Sequence, residues 1–261
     1  MLKRFKILTP SLKSFFTEVG ELVSFSIDAI KHLFIPPFET RELIRQAYVV
    51  GNKTLPLIAT TGFIMGFVLT IQTRPVLADF GAQSMIPGMI AISVIREIGP
   101  VITALLCAGK ISSGFGAEIG AMKVTEQIDA MEVSGTKPMN YVVATRIMAT
   151  TLIVPILVFF ADALGLLGSY IGVSIKEQMS FKLYITQAFN SLEFSDLIPA
   201  TIKSVFFGFF IGLIGCYKGY NANRGTEAVG DAANSAVVTA SLTVFIIDLL
   251  AAQLSELFVG F

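Results

Sequence analysis

Nineteen consecutive residues without a charge, Leu55 to Thr73, constrain this chain more than any other feature. At 1.5 Å per residue a helix of that length covers about 30 Å, the thickness of a bilayer's hydrocarbon core. Inside lipid every backbone polar group must be satisfied within the segment, and a helix does that by itself. Four further apolar runs follow: Met85 to Ala108, Tyr141 to Ile175, Leu197 to Tyr217 and Ala236 to Val259. Apolar types make up 54% of the 261 residues and charged types 15%, a balance that excludes a water-soluble domain of this size. The expected fold class is an all-α integral membrane protein with five transmembrane helices.

The run Tyr141 to Ile175 is interrupted by Arg146, Pro155 and Asp162. As a straight helix it would measure about 52 Å, longer than the core requires. No polar turn cluster divides it, so it is expected as one long span kinked at Pro155 rather than a hairpin. Before the first span, Phe15, Phe16, Val19, Leu22, Val23, Ile27, Ile30, Leu33 and Phe34 share one helical face, with Glu18, Glu21, Asp28, Lys31 and His32 opposite. Such a helix lies in the membrane interface. Pro36 and Pro37 end it. Residues 1–54 are thus expected as an interfacial and elbow segment, and 55–261 as a five-span domain. Lys3, Arg4 and Lys6 precede no uninterrupted apolar stretch and no small-residue cleavage site, so a cleaved signal peptide is not expected.

Five spans put the N-terminus, the loop after the second span and the Lys218 to Ser235 link on one side. That side carries fourteen of the 19 Lys and Arg residues. The positive-inside rule makes it cytoplasmic and the C-terminus external.

The loop after the second span is the richest part of the sequence. Plotted as a helix, residues 117–133 place Ala117, Ala121, Val124, Ile128 and Met131 on one face. Glu118, Glu126, Asp129 and Glu132 fall on the adjoining face, with Met122 among them. A helix of about residues 116–133 with two working faces is expected, either as a solvated charged face or as a seat for a separate soluble subunit. Within the second span Arg96 and Glu97 are adjacent, and a charge there costs several kcal/mol unless it is paired or faces a polar cavity. They project about 100° apart, so each needs its own partner. Both an interhelical charge network and a polar patch in a substrate cavity fit.

Several function classes fall away. One histidine and no cluster of ligand-type residues give no metal site, no cofactor motif is present, and Cys107 and Cys216 sit in apolar runs without CxxC spacing. The balance of 19 basic and 19 acidic residues gives no reason to expect nucleic acid. No phosphate-binding loop exists: GTEAVGD from Gly225 lacks the lysine, and Gly109 and Lys110 are followed by Ile111 where Ser or Thr is needed. Ser112, Ser113 and Glu118 have no accompanying histidine, which removes a hydrolase. The glycine pairs Gly62 and Gly66, Gly168 and Gly172, and Gly208 and Gly212 are expected to bring helices into close contact. A proton-coupled secondary transporter remains an alternative, since Arg96, Glu97, Arg146, Asp162 and Asp248 are embedded ionisable groups.

The sequences REIGPV from Arg96 and AEIGAMKVTEQIDAMEV from Ala117, with the spacing between them, resemble the MlaE (YrbE) family of ABC-transporter permeases. These are the membrane subunits of MCE-type lipid transport systems. The similarity extends from about Leu43 to the C-terminus and is densest from Arg96 to Val133. It implies that the loop helix is a coupling helix seated on an ATPase subunit through Glu118, Met122, Thr125, Glu126 and Asp129. It further implies a homodimer, separate ABC ATPase subunits, an MCE-domain substrate-binding partner and a phospholipid substrate, in a bacterial inner membrane. Arg96 and Glu97 become the expected substrate-binding residues, and the chain is not itself an enzyme.

Overall fold

The computed structural model describes residues 2–36, 38–176, 179–223 and 225–259. Among the described residues, eight helices account for the fold. They are α1 (Leu2–Phe34), α2 (Thr40–Asp79), α3 (Gln83–Val124), α4 (Gln127–Val133), α5 (Met139–Ser174), α6 (Phe181–Asn190), α7 (Phe194–Tyr220) and α8 (Thr226–Val259). Five of them, α2, α3, α5, α7 and α8, are long and apolar enough to cross a membrane, as expected.

The centre of the bundle is α5, whose Ile147, Val154, Leu157 and Ala161 are buried. It runs as one helix with Pro155 inside it. Helix α2 lies parallel to it, and glycines set the spacing. A Cβ on Gly62 would come 2.7 Å from the Ala161 carbonyl oxygen, and one on Gly66 only 1.8 Å from that of Gly165. Gly168 and Gly172 return the contact against Phe63 and Thr70, where the Thr70 hydroxyl also donates to Ser169 Oγ at 2.8 Å. On the other flank Gly208 and Gly212 of α7 press on Thr150 and Ile147. All three glycine pairs are therefore used for packing inside the subunit, where dispersion between backbones replaces the hydrophobic effect that lipid does not supply.

The structure adds two features to the expected layout. The boundary at 54/55 falls inside α2, which begins at Thr40 and passes through Pro56 without a break. The link between the third and fourth spans also contains α6, which was not expected. Ser180 caps it, its Oγ accepting the Leu183 amide at 3.3 Å, and Tyr184 and Ala188 bury themselves against Ile86 and Ile90 of α3.

At the opposite end of the bundle α1 lies across α5 and α7. Its inner side is fixed by Asn140 Nδ2 donating to the Ile35 carbonyl at 3.0 Å, by Phe25 packing edge-on to Tyr217 at 5.5 Å, and by an ion pair between Glu18 and Lys218. Its outer side exposes Phe16, Val19, Val23, Ile27 and Ile30, one apolar stripe of the kind that rests in lipid.

Candidate functional site: a charged cavity and a broken helix

Helix α3 opens with a 3-10 turn, Gln83–Met85, and its α-helical course is interrupted at two π-helical turns, Val94–Ile98 and Ala108–Ser112. Such turns insert one extra residue and recur at functional sites. The first carries Arg96 and Glu97, with the Gly99 amide donating to the Val94 carbonyl. Both side chains face a cavity of about 470 Å³ walled by α3, α7 and α8. Ile92, Pro199, Ala200, Ala251 and Ala252 make most of its surface apolar.

The charges at this cavity pair with one another across helices. Arg96 Nε lies 2.8 Å from Asp196 Oδ1. Lys203 Nζ sits between Glu97 Oε2 at 2.6 Å and Asp248 Oδ1 at 3.0 Å. Asp196 and Lys203 are two turns apart on one face of α7, which lets a single helix answer both members of the Arg96–Glu97 pair. Burial is uneven: the Lys203 side chain is 5% exposed and Glu97 49%. Leaving any of these charges alone in lipid would cost several kcal/mol, so the pairs are what makes the cavity tolerable. Three carboxylates meet two cations, and the most accessible groups are one guanidinium, Arg96, and one carboxylate, Glu97. An amphiphile with both a phosphate and an amine could address both, while the apolar walls take its chains.

As the spacing implied, Arg96 and Glu97 take different partners, and the two readings of the pair merge: an interhelical charge network is also the cavity wall. Asp196 was missed, although its position seven residues before Lys203 was legible. Asp162 does not line this cavity. It packs on Gly99, where a Cβ would lie 1.8 Å from Asp162 Oδ1, so a larger residue there would have to displace the Asp162 carboxyl.

The loop after the second span is built differently from the single helix expected over residues 116–133. The part up to Val124 is the end of α3, which at 42 residues is about 63 Å long and runs far past the hydrocarbon. The chain then breaks. Thr125 Oγ1 donates to the Ala121 carbonyl at 2.8 Å, and Glu126 adopts a left-handed conformation with φ 58°, taking the place a glycine usually has after a helix. Helix α4 restarts in a new direction that buries Ile128 completely, and Lys123 Nζ spans the break to Asp129 Oδ1 at 2.9 Å.

The expected acidic face is accordingly divided. Glu118 belongs to α3 and pairs with Arg146 of α5, Oε1 to Nη2 at 2.8 Å. The Arg146 side chain is 3% exposed, donates from Nη1 to the Val142 carbonyl at 2.9 Å and stands 5.7 Å from the Phe115 ring centre. Met122 is half-buried against the core. Thr125, Glu126 and Asp129 remain at the exposed surface around the break, near Val133, which is 91% exposed.

Residues 43–254 match the protein family described as Permease MlaE. The chain belongs to the MlaE permease family. A probable ABC transporter permease protein of Rickettsia typhi is 36% identical over 240 residues, covering 92% of this chain and 93% of that protein. A probable ABC transporter permease protein of Synechocystis is 33% identical over 215 residues, 82% of each chain. The protein of Haemophilus influenzae named intermembrane phospholipid transport system permease protein MlaE is 36% identical over 208 residues, 79% of each. An MlaE-family chain of this kind is a multi-pass membrane permease of the ABC transporter type and not an enzyme. That membership removes the ground for a stand-alone proton-coupled carrier.

Proposed function

We propose that this chain is the membrane subunit of an ATP-driven phospholipid transporter of a bacterial inner membrane. It works as a homodimer with two ABC ATPase subunits and passes lipid to or from an MCE-domain partner outside the membrane. Residues 1–54 serve as the interfacial elbow and 55–261 as the permease domain, with the N-terminus cytoplasmic and the C-terminus periplasmic. The surface around Thr125, Glu126 and Asp129 receives the ATPase, and Glu118 and Met122 support it from the end of α3.

The observation that carries the reading is the cavity of about 470 Å³, apolar on most of its wall and bearing accessible Arg96 and Glu97 at one edge. The similarity to a protein named for intermembrane phospholipid transport supplies the substrate class. Arg96 is assigned to the phosphate, because a guanidinium offers a planar fork of donors.

The test is purification of a tagged chain with its partners, followed by counting phospholipid per folded dimer for wild type, Arg96→Lys and Arg96→Ala. Lysine should keep part of the lipid and alanine should lose most of it while the dimer and the ATPase remain bound. Full occupancy in an intact Arg96→Ala complex removes Arg96 from the headgroup site. Absence of both ATPase and lipid from the wild-type preparation removes the transporter reading itself.

A further inference from the structure

A second cavity, of about 480 Å³, lies between α2 and α5 and shares no residue with the charged cavity. Ile71, Arg74, Pro75 and Ala78 line it from α2, and Ile175 and Lys176 from the end of α5. Because α2 and α5 run parallel and α5 starts beside α4, both contribute the ends remote from the broken helix. Glycine contacts hold the two helices together as far as Gly172 and Thr70. Beyond that point α5 stops at Ser174 while α2 continues to Asp79, and the groove opens.

Its chemistry differs from that of the central cavity. The only charged side chains among its lining residues are two cations, Arg74 and Lys176. Among the described residues no carboxylate lines it, and the exposed Lys176 ammonium has no ion-pair or hydrogen-bond partner among them. The floor is apolar and open to lipid: Ile71 is 52% exposed and Ile175 63%. Pro75 adds a polar feature, since it has no amide to donate to the Ile71 carbonyl four residues earlier. Two cations above an apolar cleft at the end of a pair of membrane helices match a lipid whose headgroup carries net negative charge.

We infer that the groove between the outer ends of α2 and α5 is a binding site for an anionic phospholipid, held on the outside of the bundle and separate from the cavity that carries substrate. Arg74 and Lys176 take the phosphate, and Ile71, Ala78 and Ile175 take the upper parts of the acyl chains. The Ile71 carbonyl can accept from a headgroup hydroxyl, which favours a glycerol head. A soluble acidic peptide would leave the exposed isoleucines uncovered, and free phosphate would leave the whole floor so.

The test is site-resolved. The purified chain is placed in nanodiscs of phosphatidylcholine containing trace phosphatidylglycerol or trace phosphatidylcholine, each with a photoreactive group on an acyl chain, and crosslinked peptides are mapped. Peptides around residues 71–78 and 171–176 should be labelled several-fold more by the glycerol lipid. Each cation should contribute about fivefold. Lys176→Gln, a change at an exposed side chain without a partner, should therefore cut that labelling without lowering thermal stability, and Arg74→Gln with Lys176→Gln should bring it to the phosphatidylcholine level. Labelling of peptides from the charged cavity should not change in either variant, which keeps this outcome independent of the proposed transport function. Soluble glycerol phosphate should fail to compete. Equal labelling by the two lipids, indifference to the variants, or competition by glycerol phosphate alone overturns the proposal. So does capture of a polypeptide in place of lipid by a photoreactive residue at position 78 in native membranes.

Discussion

The Arg146–Glu118 pair offers a prediction in which burial, not exposure, decides the outcome. Arg146 is 3% exposed and Glu118 48%. Replacing Arg146 with methionine removes the cation but keeps most of the volume. The Glu118 carboxylate left behind can turn to water, so the loss is that of a half-solvated pair, about 1 kcal/mol. Replacing Glu118 with alanine does the reverse. It leaves a guanidinium in the interior with one carbonyl, that of Val142, and the Phe115 ring for company. Orphaning a buried charge costs about 3 to 5 kcal/mol, and the remaining partners hold this case near the lower end. The substitution at the exposed member should therefore be the worse one by about 2 kcal/mol. The double variant should be better than Glu118→Ala alone, since it removes the stranded charge. Cys107 and Cys216 are both fully buried, so a thiol-reactive fluorophore reports unfolding of the detergent-solubilised protein directly. If Arg146→Met lowers the midpoint more than Glu118→Ala, or the two effects simply add, the argument from burial is refuted.

Other outcomes follow from the same geometry. Gly66→Ala forces α2 away from α5, because its Cβ has 1.8 Å to the Gly165 oxygen, and should abolish a folded product. Gly230→Ala, with nothing within 4 Å, should gain up to about 1 kcal/mol in the same thiol assay. Glu126→Gly should relieve the left-handed strain at φ 58° and raise the stability by about 1 kcal/mol, read as a higher unfolding midpoint; a lowered midpoint would mean the side chain anchors the break. For topology, single cysteines at exposed Val133 and Lys182 in a background lacking Cys107 and Cys216 should be labelled by impermeant maleimide from opposite sides of the membrane. Labelling from one side removes the proposed orientation.

The spans were legible because each needs a long, predominantly apolar run and little else, and the glycine spacings marked helices that pack closely without saying which ones meet. What the sequence hid depends on tertiary contact. Ala121, Met122, Lys123 and Val124 continue a helical pattern with no glycine or proline to stop it. The break at Glu126 is made by the Thr125 hydroxyl, by the Lys123–Asp129 bridge and by the demand of Ile128 for a buried place, which no local rule foretells. Helix α6 was hidden likewise, since only Tyr184 and Ala188 of its ten residues are buried. Arg96 and Glu97 were visible as charges out of place, but their partners sit on α7 and α8, 100 or more residues away for Asp196, Lys203 and Asp248. Of these, only the seven-residue spacing of Asp196 and Lys203 could have been paired on paper.

The ion pairs also bear on how a cavity of this kind can release what it binds. Both cations are already held by carboxylates of the protein, Arg96 by Asp196 and Lys203 by Glu97 and Asp248, so neither is stranded in the membrane. A phosphate that approaches Arg96 must share it with Asp196, which is itself buried, and an amine that approaches Glu97 must share it with Lys203. Each gain is offset by weakening an existing pair, and the net preference for headgroup is small compared with either contact alone. On the proposed reading this is what transport requires: a site that binds its substrate only slightly better than it binds itself can be emptied by a modest movement of α7 against α3. Glu97 and Glu118 lie on the same helix, 21 residues or about 32 Å apart, so a force applied at the cytoplasmic end reaches the cavity along one rod interrupted only by its π-helical turns.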